Sequence, residues 1–385
     1  MENSYNENNL KYANVDKQGK VAVDIKVMGI GGAGNNAVNR MLDEGLRNVT
    51  FYAVNTDTQA LSLSKVDDEF RIQIGQNLTK GFGAGSDPYI GLEAAKESEN
   101  EIKEILKGTD LLFVTAGMGG GTGTGAAPFI ASLAKDMGIL TIAVVTKPFE
   151  TFEGRVRMQN AITGIESLRQ YVDTLLIIPN EKLNMINEPG LSFLDAFKSA
   201  DEALKQGIQG ISDIITRKSF INLDFADVKK IIQNSGTAHI GIGVGSGEGR
   251  TRKALKEAVS SPLLETDIEG ATALIVFVRG RSDLSTYEIN DALSLVKEVV
   301  SPDANIIVGF DFDETLNAST AEVIITVIAT GFNNEESETY SNFGIDKVID
   351  KIKEVKEEET SSSDKLEIDN KDIPPYMQKI FNSNS

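Results

Sequence analysis

Cysteine and tryptophan are absent from the 385 residues, and His239 is the only histidine. The missing thiols exclude disulfides, thiolate nucleophiles and zinc–thiolate sites, which fits a cytoplasmic setting. No run reaches the ~18 apolar residues of a membrane span, so no direct membrane insertion is expected. Residues 1–20 are polar and rich in asparagine, without the apolar core of a secretion signal. Positive charge is scarce as well: 38 Lys and Arg stand against 57 Asp and Glu, for a formal net charge of −19. Phosphate polymers would be repelled, so nucleic acid is not an expected partner. The P-loop pattern G-x-x-x-x-G-K-[ST] is missing too, so any phosphate must be held without that lysine.

What the chain does hold is glycine at informative places. Gly119, Gly120, Gly121, Thr122, Gly123, Thr124 and Gly125 follow the apolar run 111–114 and precede the helix-like stretch 126–131. A strand, a loop nearly free of side chains and a helix start bind phosphate well. Backbone N–H groups can approach an anion, and the helix N-terminus adds a favourable dipole.

Apolar runs at 23–30, 51–54, 111–114, 140–145 and 174–178 alternate with helical patterns at 37–45, 90–107 and 155–171. Such alternation predicts an α/β fold, a doubly wound, mostly parallel Rossmann-like sheet with ligands at the carboxyl ends of its strands. A long central helix is expected at about 192–216, with an apolar stripe of Leu194, Phe197, Leu204, Ile208, Ile211 and Ile215. A second, smaller α/β domain follows, with strands at 239–244, 272–278, 306–312 and 322–329 and helices at 251–260 and 285–300. The expected divisions are a disordered tail at 1–20, a nucleotide domain at 21–190, and the central helix and connection at 191–221. The second domain takes 222–331, a disordered linker 332–371, and a terminal peptide 372–385. The apolar cluster in that peptide, after a charged linker, reads as a recognition segment.

Gly29-Ile30-Gly31-Gly32-Ala33-Gly34 satisfies G-x-G-x-x-G after a strand, with Asp57 near the distance a dinucleotide site requires. An NAD-dependent oxidoreductase is therefore an alternative. Against it stand the polar continuation Asn35-Asn36, the second glycine segment, and the scarcity of proton-transferring side chains. Two glycine segments at adjacent strand ends suit one triphosphate held from both sides.

Further motifs carry a resemblance. Residues 119–125, the segment Gly31-Gly32-Ala33-Gly34-Asn35-Asn36, Val54-Asn55-Thr56-Asp57, Gly81-Phe82-Gly83-Ala84-Gly85, Phe152-Glu153-Gly154 with Arg157, Pro179-Asn180 and Asn222-Leu223-Asp224-Phe225-Ala226-Asp227 are together similar to the FtsZ family, the bacterial relatives of tubulin. The resemblance covers about 21–332 and the terminal peptide. It implies a tubulin/FtsZ-like fold and GTP hydrolysis coupled to polymerisation.

By resemblance, both glycine segments, Asp57 and Gly83-Ala84-Gly85 take part in binding the nucleotide, chiefly its phosphates. Glu153 and Arg157 contact the ribose, Asn180 and Asp201 read the guanine, and Phe197 packs on the ring. Phe197 also fits the core stripe, and Asp201 alone could be a solvated carboxylate. Asn222, Asp224 and Asp227 form an acidic loop, on residues alone a cap or turn. In the family it reaches the next subunit's GTP and orients the attacking water beside Mg²⁺, with no direct protein ligand to the metal. A head-to-tail contact of that kind gives an open filament, here of the division ring at midcell. The peptide Ile373-Pro374-Pro375-Tyr376-Met377 implies a membrane-tethering division protein as partner. A plasmid-segregation filament is a third alternative, which that peptide argues against. Two departures stand out. Ala33 replaces a common glycine, which is tolerable if its φ is negative. One extra residue within 148–154 makes Glu150 a substitute for Glu153.

Overall fold

Largely apolar runs of six to eight residues, mostly buried, make the five long strands of the first sheet, as expected of parallel strands covered by helices. In this computed structural model the described residues are 23–43, 45–46, 49–186, 193–216, 224–259, 271–301, 303–316 and 322–332. The expectations for residues 1–20, Asn222, the linker beyond 332 and the terminal peptide, including Ile373, Pro374, Pro375, Tyr376 and Met377, lie outside them.

The first sheet comprises β1 (Ile25–Ile30), β2 (Thr50–Asn55), β3 (Arg71–Gln73), β4 (Leu111–Gly117), β5 (Leu140–Lys147), β6 (Thr174–Pro179) and β7 (Gly236–Thr237). All pairings are parallel, in the order β3-β2-β1-β4-β5-β6-β7. The second sheet holds β8 (His239–Gly245), β9 (Ala273–Gly280), β10 (Asn305–Phe312) and β11 (Val323–Thr330), in the order β10-β9-β11-β8. It is mixed: β10 pairs in parallel with β9, and β11 is antiparallel to both β9 and β8.

The helices are α1 (Gly31–Asp43), α2 (Thr58–Ser62), α3 (Gln76–Thr79), α4 (Pro88–Glu97), α5 (Glu99–Leu106), α6 (Thr122–Asp136), α7 (Glu150–Glu153), α8 (Arg155–Arg169), α9 (Asn180–Ile186), α10 (Phe193–Thr216), α11 (Phe225–Ile232), α12 (Arg250–Val259) and α13 (Thr286–Val299). The single helix expected at 90–107 is two, α4 and α5. They part at Ser98, whose hydroxyl accepts from Gly75 N at 3.2 Å.

Alternation along each strand sorts the core into two layers. Ile25, Val27, Phe51, Leu111 and Phe113 face α1 and α10 on one side. Met28, Ile30, Tyr52, Leu112 and Val114 face α5, α6 and α8 on the other. The α10 stripe is fully buried at Leu204, Ile208 and Ile211, worth about 1.5–3 kcal/mol for each side chain. The same apolar cluster takes in Ile240, Ile275, Phe277 and Ile328 of the second sheet, so α10 lies between the two sheets. The far face of the second sheet is covered by α12 and α13.

The chain crosses back after α10. Thr174 Oγ1, at the start of β6, donates to Ile232 O of α11 at 2.7 Å, and β7 then adds to the first sheet beside β6. Helix α11 therefore ends at the N-terminal edge of that sheet, opposite the edge where its strands finish.

Candidate functional site

At the carboxyl ends of the first sheet's strands lies a cavity of about 560 Å³. Its floor is the passage from β1 into α1 and from β4 into α6, and both helix N-termini face it. The sequence suggested two loops; the structure corrects this. Gly31 alone makes the first turn, at φ 72°, and the helix runs from there. The second loop is 119–121, and Thr122 opens α6. The orphan N–H groups of two helix starts thus do what longer loops would do.

The predicted residues divide into those that meet the cavity and those that build its walls. Gly31, Gly32, Ala33, Asn36, Asp57, Gly83, Ala84, Gly85, Gly120, Gly121, Thr122 and Gly123 line it, as do Glu153, Arg157, Asn180, Phe197 and Asp201. Gly34, Asn35, Gly119, Thr124 and Gly125 do not. A Cβ on Gly125 would sit 1.9 Å from Pro88 O, so α6 and α4 meet only because it is glycine. Thr124 Oγ1 accepts from Gly119 N at 2.8 Å and closes the second turn. Asn35 is buried, and with its amide oriented to satisfy its neighbours Nδ2 donates to Gly29 O at 2.7 Å and Gly31 O at 3.0 Å. Its oxygen then accepts from Asn55 Nδ2 at 3.3 Å. Ala33 is helical and absent from the left-handed residues, so its Cβ carries no backbone strain.

A third segment arches over one flank. Gly81, Gly83, Gly85 and Ser86 all take positive φ, and Phe82 between them is 87% exposed. Asp57 lines the cavity while capping α2, accepting from Gln59 N at 2.8 Å and Ala60 N at 3.1 Å.

The opposite flank is aromatic and polar. Phe149, Phe152 and Phe197 cluster with ring centroids 4.5 to 6.0 Å apart, so Phe197 serves both packing and cavity wall. Glu153 accepts from Phe149 N at 2.9 Å and pairs with Arg157 at 2.5 Å. Glu150 faces a separate surface hollow with Glu181, so of these two glutamates Glu153 is the one that lines the cavity. Arg157 is the one cationic side chain among the described residues lining the cavity. Asn180 is 4% exposed and its Oδ1 has no partner among the described residues, an unpaired acceptor that favours a ligand donor. Burial pushes the Asp201 carboxyl up to about 6, and Arg40, 3.6 Å away, offsets part of that rise.

Sequence reasoning missed several lining residues, among them Thr56, Phe82, Thr146 and Leu204. Thr56 and Phe82 stood inside quoted motifs, and the strand-end position of Thr146 after a buried run was a signal available in the sequence.

Asp224 and Asp227 are not in the cavity. The acidic segment is also not all loop: Asp224 is the N-cap of α11 and Asp227 lies in its first turn, with Asp227 N donating to Asp224 O at 2.9 Å. An aspartate four residues ahead of Val228, with Ile231 and Ile232 following, is a helix-start pattern. The Asp224 side chain accepts no capping bond. Asp201 sits 15 residues before the end of α10, so roughly 22 Å of helix separates its level from that end.

A parallel sheet with two helix N-termini at one cavity, no lysine in its lining, and an aromatic flank carrying Asn and Asp defines a nucleotide-binding protein of the α/β class. Residues 24–188 match the Tubulin/FtsZ family, GTPase domain, and residues 236–333 match the FtsZ family, C-terminal domain. An FtsZ dimer structure from M. jannaschii is 46% identical, covers 82% of this chain and 89% of its own, and superposes with a TM-score of 0.75. CetZ1 from Haloferax volcanii, described as a GDP-bound monomer, is 22% identical over 83% of this chain and 97% of its own, with a TM-score of 0.70. CetZ2 from the same organism, described as a GTPγS-bound protofilament, is 20% identical over 86% of this chain and all of its own, at 0.69. The last two share the fold. This chain belongs to the FtsZ family, and so to the cytoskeletal GTPases related to tubulin. Membership decides against the dinucleotide reading of Gly29–Gly34, because the family implies GTP or GDP binding.

Proposed function

We propose that the protein is a GTP-driven polymer-forming subunit of the division ring, whose hydrolytic site forms between two copies. The carrying observation is a separation: the nucleotide cavity opens at one edge of the first sheet, while α11 and its two aspartates belong to the other. Stacking copies head to tail brings the α11 start of one onto the cavity of the next. A structure similar in fold is described as a protofilament, which supports that arrangement.

Each group then has a role. The N–H groups of α1 and α6 and the segment 83–85 bind the phosphates, with Asp57 at their side. Glu153 and Arg157 hold the ribose, and Phe197 covers the base. Asn180 and Asp201 accept from guanine N1–H and its amino group. Asp224 and Asp227, with Asn222, orient and polarise the attacking water from the neighbouring copy.

Mg²⁺ would be held mainly through the phosphates, with Asp57 beside them in the cavity lining. The Asp57 carboxylate already caps α2, which suits an ion that keeps most of its waters. When bound, Mg²⁺ neutralises charge that develops on the phosphates. The terminal peptide, with Ile373, Pro374, Pro375, Tyr376 and Met377, would dock on a membrane-tethering division protein. That would bring a cytoplasmic filament to midcell. No described helix is long and apolar enough to cross a membrane.

The test is phosphate release and light scattering with GTP and Mg²⁺ across protein concentrations. A concentration threshold shared by both signals is expected. Turnover strictly proportional to protein, with no threshold, would sink the shared-site reading.

A further inference from the structure

Thr56 is completely buried, one residue past β2, and its hydroxyl lies 2.7 Å from that of Thr122. Thr122, at the N-terminus of α6, reaches the cavity. Two hydroxyls in contact share one proton and leave another to place. If Thr122 donated, the Thr56 proton would be stranded, because the residue, although beside the cavity, is fully buried and has no other acceptor among the described residues, and a stranded buried donor is costly. The favourable arrangement has Thr56 donating to Thr122. The Thr122 proton is then free to point into the cavity, and accepting from Thr56 makes it a stronger donor.

The same residue also ties down the arch. Thr56 O accepts from Thr79 Oγ1 at 3.2 Å and from Gly83 N at 3.3 Å. Thr56 N donates to Asn55 Oδ1 at 2.9 Å, and Asn55 in turn meets Asn35 of α1. One buried residue therefore joins all three phosphate-facing segments.

Its place in the sheet sets which phosphate it serves. Asn180 follows β6 and Thr56 follows β2, and the order β2-β1-β4-β5-β6 puts four strand spacings between them. That is roughly 19 Å. A nucleotide with its base at Asn180 and Phe197 runs its phosphates toward β2 and places the last one nearest Thr122.

We infer that Thr56 is a positioning residue that makes this site favour the triphosphate over the diphosphate, by aiming the Thr122 hydroxyl and anchoring the 79–86 arch at the terminal phosphate. The inference rests on the guanine-nucleotide reading of the cavity.

The test uses the full chain below its assembly concentration, with Mg²⁺ present. GTP and GDP dissociation constants are measured by competition against a fluorescent GDP analogue. Thr56→Val is expected to weaken GTP about tenfold while GDP stays within about twofold, and Thr56→Ser should restore GTP binding. Equal loss for both nucleotides, no loss, or failure of serine to restore binding overturns the inference. If the valine variant does not fold by circular dichroism, Thr79→Val decides: GTP alone should weaken, by about threefold, and any other pattern overturns the assignment. Wild-type protein that binds neither nucleotide would instead remove the guanine-nucleotide reading itself.

Discussion

The two edges of the first sheet solve the same chemical problem in opposite ways. Along the N-terminal edge, side chains satisfy the backbone. Asp110 accepts from Asp24 N at 2.9 Å, Asp173 from Thr141 N at 2.9 Å, and Lys26 donates to Ile105 O at 2.7 Å. Along the C-terminal edge, glycines take those positions, helix N-termini keep open donors, and Asn180 keeps an unpaired oxygen. The first edge mostly pairs its own groups, with Thr109 Oγ1 a buried exception, whereas the second leaves donors and an acceptor open at the cavity.

The strongest way to break that contrast is to remove the proposed chemistry from the N-terminal edge. Asp224→Ala should lower steady-state turnover by about 10² or more and leave GTP affinity unchanged in a direct titration. Lost affinity would place Asp224 in its own molecule's site. Added to wild type in excess, this variant should poison assembly.

Next in size is the wall of the open edge. Gly125→Ala forces a methyl against Pro88 O and should cost about 1–3 kcal/mol in urea unfolding. An unchanged midpoint would mean that α4 and α6 yield freely.

A pH titration sharpens the base end. Asp201 is raised from 3.8 to about 6, first by burial and with Arg40 opposing. Its ionised form is therefore the penalised one in the free protein, and stability from this group falls as pH rises across that interval. Binding that uses the carboxylate as an acceptor runs the other way and weakens as pH falls through 6. GTP affinity should drop about tenfold from pH 7 to pH 5, and Asp201→Asn should flatten the profile. A wild-type profile already flat would remove Asp201 from the contact.

The smallest expected effect separates two neighbours. Glu153→Gln should weaken nucleotide binding a few fold, roughly the worth of one partly exposed ion pair. Glu150→Gln should change it less than twofold, because Glu150 faces away from the cavity. The reverse order, read by the same titration, would show that the extra residue in this segment has exchanged their roles.

Most of the architecture was legible because its signals are local. Largely apolar runs marked β1, β2, β4, β5 and β6, and the α10 stripe at helical period marked the central helix, with bounds within a few residues. The short β3 and β7 carry too little pattern to stand out; they are strands because a neighbouring strand offers a free edge. The glycine segments were legible as passages from strand to helix. Their division into cavity floor and packing surface was not, because Gly34 and Gly125 differ from Gly32 and Gly120 only in what lies opposite across the fold. Thr56 went unnoticed for the same reason: its importance comes from a hydroxyl 66 positions away. Helix α11 was hidden by its own acids, which read as a loop until the apolar residues after them are counted as one face.

The distance between α11 and the cavity has an arithmetic side. If each copy offers one cavity and one pair of aspartates at opposite poles, a row of n copies contains n − 1 complete sites. One terminal copy keeps a nucleotide that nothing attacks, and the other presents acids with nothing to act on. The two tips of such a row are then chemically different objects, although every molecule in it is the same.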